Sequence, residues 1–163
     1  MKNILMIAVV VALIFPLSGC NKSKLKPYVV KSYTVVNNTI GKIRQTPSIV
    51  TNNIGTFITA SKVVKAALEF LGKQIGEAKM KPYVDAMTTV IAELEAIQAD
   101  PSQVTTKIEQ VLVGLEKARD GIVEAAKWVG CEGDLPAPKA NAVSIADLTT
   151  SADELQKLLD GKK

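Results

Sequence analysis

The chain of 163 residues contains no histidine. That absence removes Ser/His/Asp and Cys/His catalytic arrangements, His-containing zinc sites and the usual general base near neutral pH. Aromatic residues make up only 4% of the chain, and ten glycines with seven prolines are too few turn formers for an all-β sandwich. There are two cysteines, Cys20 and Cys131, and no acidic residue between Cys20 and Leu68. No phosphate-binding loop, dinucleotide fingerprint, cysteine-pair metal knuckle or Gly-x-Ser-x-Gly elbow occurs. What remains, 47% hydrophobic and 22% charged, is the composition of one globular domain. Neither a catalytic residue nor a cofactor or metal site is expected, and the protein reads as a non-enzyme.

Met1, Lys2 and Asn3 form a short positive leader, and Ile4 to Leu17 is an apolar run broken only by Pro16. At about 14 residues the run falls short of the roughly 20 that a bilayer-spanning helix needs, and it matches the apolar core of a secretory signal. Leu17-Ser18-Gly19-Cys20 follows. These residues resemble the lipobox of bacterial lipoprotein precursors: a leucine three places before the cysteine, two small residues, then the cysteine itself. The resemblance covers only the start of the chain, up to Cys20. It implies cleavage between Gly19 and Cys20, diacylglycerol on the Cys20 thiol and, in many bacteria, an acylated new N-terminus. Each buried CH2 contributes about 0.8 kcal/mol, so several acyl chains hold far more firmly than one. Membrane lipid, reached through acylated Cys20, is therefore the first expected partner. Asn21 in the next place resembles the lipoproteins passed to the outer membrane, where an Asp commonly marks retention in the inner one. In a Gram-positive host the same anchor would sit on the outer face of the plasma membrane.

Charge is distributed unevenly. Between Cys20 and Leu68 there are eight cations, among them Lys22, Lys24, Lys26 and Lys31, and from Glu69 onward eleven cations face sixteen anions. A basic residue near an anionic lipid surface contributes on the order of 1 kcal/mol, so these four lysines form a candidate membrane-proximal contact. A solvated lysine-rich linker accounts for the same residues. Nucleic acid is not an expected partner, because an exported, lipidated chain meets little of it.

The rest of the chain carries a seven-residue period. Apolar residues recur at alternating steps of three and four from Val29 through Val36, Ile43, Val50, Phe57, Val64 and Leu71 to Ala78, with Pro47 and Ser61 as the exceptions. The phase changes after Pro82 to Val84, Met87, Ile91 and Leu94, with Val90 and Ile97 widening the stripe. After Pro101 it changes again, to Val104, Ile108, Val111, Leu115, Ala118, Ile122, Ala125 and Val129. Proline is accepted at a first helical position, and Thr46 and Asp100 are suitable N-caps. The spacing predicts helices over 27–45, 47–80, 83–99 and 101–129, with Pro47 either a kink or a turn. Gly130 ends the third periodic run. Ser151 with Glu154 has capping-box spacing, and Leu148, Leu155, Leu158 and Leu159 form the apolar face of a last helix stopped by Gly161.

Once Cys20 is acylated, Cys131 has no partner for an intramolecular disulfide; it is either a buried or chance thiol or a bridge between two chains. Glu109, Glu116 and Asp120 share one side of the 101–129 helix, interleaved with Lys117 and Arg119, and read as a solvated face. Trp128 reads as a core plug or bundle cap.

The expected fold is all-α: an up-down bundle of coiled-coil-like helices with a short C-terminal helix, following a cleaved signal peptide. Its organisation is a signal peptide over 1–19, a basic lipidated tether over 20–26, the bundle over 27–130, a Gly/Pro loop over 131–143, and a C-terminal helix and tail over 144–163. The expected function is that of a membrane-anchored cell-envelope lipoprotein, a non-catalytic binding or accessory module that engages another envelope protein. The alternative is a coiled-coil spacer whose seam is used for self-assembly into a homo-oligomer.

Overall fold

A helix buries a stripe whose width depends on how many neighbours it has. The first helix, α1 (Gly19–Ile43), packs against four other described helices, and its buried set is correspondingly broad: Leu25, Tyr28, Val29, Ser32, Val35, Val36, Asn38, Thr39, Ile40 and Ile43. This is a computed structural model, and it describes residues 19–138 and 143–161. The signal peptide expected over 1–19 falls, up to residue 18, outside the described residues, as do 139–142 of the loop and Lys162 and Lys163 of the tail. The described residues are helical, with no strand among them.

After α1 come α2 (Pro47–Asn52), α3 (Ile54–Ile75), α4 (Glu77–Ala99), a 3-10 turn over Pro101–Gln103, α5 (Val104–Val129), a second 3-10 turn over Glu132–Asp134, and α6 (Ile145–Asp160). Helices α1, α3, α4 and α5 form a four-helix bundle, each packed on the next around the ring, and α6 lies over the groove between α1 and α3. Successive long helices alternate in direction. Tyr28 at the start of α1 stacks on Phe70 near the end of α3 with ring centroids 4.6 Å apart. Lys62, early in α3, meets Glu95, late in α4, at 2.8 Å. Lys107 at the start of α5 returns to Glu93 of α4. Short connections enforce this up-down order.

The core follows the heptad steps along each helix. Phe57, Val64, Leu68 and Leu71 of α3, Met87 and Leu94 of α4, and Val111, Leu115 and Ile122 of α5 are essentially inaccessible to solvent. The seam is thus consumed within one chain. Val113, on the outer face of α5, is the exposed large hydrophobic residue among those described.

Several boundaries differ from the sequence expectation. At Pro47 the chain turns: Thr46 accepts a hydrogen bond from the Ile49 N–H, capping a helix with proline in its first turn. The expected 47–80 helix is broken twice, at Asn53 and at Gly76. Gly76 has φ +136, a backbone region closed to residues with a Cβ, and this sets the end of α3. Helix α4 therefore starts six residues before the predicted 83, with Pro82 inside it. Pro27 likewise lies inside α1, which reaches back to Gly19. Pro27 and the residue four before it, Ser23, are exposed, as are Pro82 and Ala78, so water can replace the helical hydrogen bond that proline cannot donate. The buried line of α4 is Met80, Met87, Val90, Leu94 and Ile97, with Val84 and Ile91 at its edge and Ala78 exposed. The capping box of α6 is Ser144 with Asp147, not Ser151 with Glu154: the Asp147 carboxylate accepts from the Ser144 N–H at 2.9 Å. Ser151 lies within α6 and donates to the Asp147 carbonyl. Two expected features stand as predicted, since Asp100 caps the 3-10 turn ahead of α5 and Gly130 closes α5 in the left-handed region with φ +79.

Candidate functional site

Cys20 lies in the first turn of α1, at one pole of the bundle. The ends of α3, α5 and α6 and the α3–α4 connection gather at the same pole, because every helix antiparallel to α1 finishes where α1 begins. The segment 20–26, expected as a tether, is helical and continuous with the bundle.

Each of the four lysines singled out in the sequence has a definite place. Lys22 sits over the ring of Trp128, its ammonium 4.8 Å from the ring centroid, a geometry in which the ring quadrupole attracts the cation. Lys24 is exposed and has no ion pair among the described residues. Lys26 pairs with Asp134 at 2.9 Å, with both side chains about half exposed. Lys31 pairs with Glu154 of α6 at 2.6 Å, and this cation holds the Glu154 carboxyl below the usual carboxylate range. At 1.5 Å per residue Lys31 stands roughly 16 Å along the helix from Cys20. The first three therefore belong to the pole, and the fourth serves the α1–α6 seam.

Trp128 is half-buried at the end of α5, neither a fully sealed plug nor a free surface ring. Beside it a shallow notch is lined by Ile75, Lys79, Tyr83 and Lys127. Lys127 pairs with Glu124 at 3.1 Å, and that carboxylate raises the lysine above its ordinary value. Behind the pole Cys131 is buried and free, and desolvation pushes its thiol up. Tyr28 closes the arrangement from the other side, its hydroxyl donating to the Leu158 carbonyl at 2.9 Å, which ties the start of α1 to the end of α6.

The acidic face on α5 is also located. Glu116 pairs with Arg44, Glu109 and Asp120 are exposed, and no group of three or more Cys, Asp or Glu among the described residues is arranged to hold a metal ion. No described helix is long and apolar enough to cross a membrane. Sequence reasoning did not find the Lys22–Trp128 pair. Helical periodicity places residues along one chain and carries no signal for which end of α5 meets which end of α1.

Comparison with known proteins yields no match: no protein family, no curated protein and no solved structure is similar to this chain.

Proposed function

We propose that this is a lipid-anchored protein of the bacterial cell envelope that acts by binding and not by catalysis. The observation that carries the reading is the Leu17-Ser18-Gly19-Cys20 box, directly after an apolar run of signal length. Acyl chains on Cys20 hold the pole of the bundle at the bilayer surface. Because α1 is helical from Gly19, the bundle is set against the headgroups with no flexible spacer between lipid and fold. Lys22 and Lys24 then face anionic lipid at short range, and Trp128 contributes an amphipathic ring of the kind enriched at membrane interfaces. Confinement to a surface raises the effective concentration of the bundle toward another envelope component without any new contact.

Two features favour a binding module over a self-assembling spacer. The apolar seam that would join identical chains is buried within one chain, and among the described residues the outer faces carry Val113 as the exposed large hydrophobic side chain. The absence of histidine from the whole chain supports a non-catalytic role.

The test is fractionation of cells that express the full chain. The wild type is expected in the membrane fraction and a Cys20→Ala variant in the precursor form, uncleaved. In a Gram-negative host, Asn21→Asp is expected to move the protein from outer to inner membrane. Wild-type protein recovered entirely in the soluble fraction would end the proposal.

A further inference from the structure

The notch beside Trp128 lies level with Cys20. Lys22, whose ammonium rests over the Trp128 ring, stands about 3 Å along α1 from that cysteine. The notch has a volume of about 580 Å³, and helix ends at this pole supply its lining. Ile75 is the last residue of α3, Lys79, Met80 and Tyr83 lie in the first two turns of α4, and Trp128 is the last residue but one of α5.

Two kinds of surface meet there. Ile75, Met80 and the rings of Tyr83 and Trp128 make an apolar floor, and Lys79 and Lys127 stand exposed at the rim. Tyrosine and tryptophan are the residues enriched where a bilayer meets water, since each joins an apolar ring to a polar tip. The charge of the notch is positive. Glu124 is the carboxylate among its lining residues and pairs with Lys127, with Glu132 also acting on that lysine. Lys79 has no ion pair among the described residues, and neither has Lys22. Residues 1–18, 139–142, 162 and 163, outside the described set, contain no aspartate or glutamate that could cancel these charges.

We propose that this notch seats one anionic phospholipid of the bilayer. The headgroup phosphate pairs with Lys79 at the rim, Lys22 adds its attraction from α1, and the glycerol and upper acyl carbons lie on the apolar floor. The inference rests on the reading that Cys20 is acylated, which brings this pole to the headgroups. It goes further than a diffuse attraction between lysines and a charged surface, which salt screens and which selects no lipid position. A seat with an apolar floor holds its lipid by charge and by burial together. With the anchor at Cys20 and a second attachment at Trp128, the bundle has one orientation on the membrane.

Trp128 is the single tryptophan of the chain, so its fluorescence reports on the seat directly. The experiment takes the full chain as the cell processes it, in phosphatidylcholine nanodiscs that contain a minor share of lipid brominated on its acyl chains, which quenches tryptophan on contact. Brominated phosphatidylglycerol is compared with brominated phosphatidylcholine. The anionic lipid is expected to reach half-maximal quenching at a share about fivefold lower, the factor that corresponds to roughly 1 kcal/mol for a basic residue at an anionic surface. Lys79→Gln is expected to remove most of that preference and the charge-keeping Lys79→Arg to retain it. Lys42→Gln, in the last turn of α1 at the opposite pole, is expected to leave it unchanged.

Equal quenching by the two lipids would overturn the proposal, as would equal losses in the Lys79→Gln and Lys42→Gln variants or in the two Lys79 variants. So would a Trp128 that neither lipid quenches, the result expected if a protein partner or a second copy of the chain covers the notch. The mass of the N-terminal peptide from the same sample separates the two readings. Lipidated Cys20 with unselective quenching refutes the seat and leaves the anchor, whereas selective quenching with an unmodified Cys20 refutes the anchor alone.

Discussion

Between α4 and α5 the helices meet through glycine, whereas between α1 and α6 they meet through polar side chains. Gly114 faces Val90, and Gly121 faces the Tyr83 ring; a Cβ at either place would fall inside the neighbouring side chain. The spacing of seven repeats the contact two turns further on, on the same face, and lets the two backbones close up. Across α1 and α6 the contacts are the Tyr28 hydroxyl on the Leu158 carbonyl, Lys31 on Glu154 and Asn38 on Ser151, around apolar anchors Leu148 and Leu155. Among the described residues, the buried side-chain polar atoms without a partner are Ser32 Oγ and Asn37 Nδ2 on α1 and Ser61 Oγ on neighbouring α3, with none on α4 or α5. Well-satisfied packing marks the half that supplies rigidity.

The comparison can be broken most sharply at Gly121. Gly121→Leu is expected to destabilise the protein by about 3 kcal/mol or more, measured by urea unfolding, since the side chain has no space beside Tyr83. A loss under about 1 kcal/mol would mean that the α4–α5 seam is not close-packed. Leu155→Ala removes a fully buried anchor of α6 and should cost about 3 kcal/mol, with enhanced hydrogen exchange confined first to α6. If exchange rises uniformly over the bundle, α6 is no separate layer. Ser61→Ala is expected to act in the other direction, stabilising by about 1 kcal/mol, because it deletes a buried hydroxyl without a partner and installs a better helix former.

The smallest effect is in pH. Burial raises the Cys131 thiol, so the unfolded chain releases that proton at lower pH than the folded one. Stability is therefore full below the ordinary thiol value and falls as pH rises through the raised one. Cys131→Ala should flatten this alkaline limb in a denaturation series. An unchanged limb would place the loss elsewhere, and Tyr28, also raised by burial, is the next group to test.

The helical class, the core positions of α3 and α5, the caps at Thr46 and Asp100 and the stop at Gly130 were legible because each depends on local spacing or a single side chain. Prolines misled at 27 and 82. A proline starts a helix only when nothing stronger does, and Gly76, with its positive φ, is the stronger punctuation. The α6 cap was present in the sequence as Ser144 and Asp147, but the later Ser151 and Glu154 have the same spacing, and what separates them is the backbone, extended at Ser144 and already helical at Ser151. The burial of Asn38 and Thr39 was hidden for a different reason. Asn38 and Thr39 interrupt an apolar face and look like ordinary surface residues until α6 covers α1.

Everything about location rests on the thiol at position 20, and the most direct measurement is the mass of the N-terminal peptide from protein isolated from its native envelope. The account predicts a peptide that begins at Cys20 and carries diacylglycerol, with a further acyl chain on its amine in hosts that add one. An unmodified Cys20, or an N-terminus at any other residue, would contradict it.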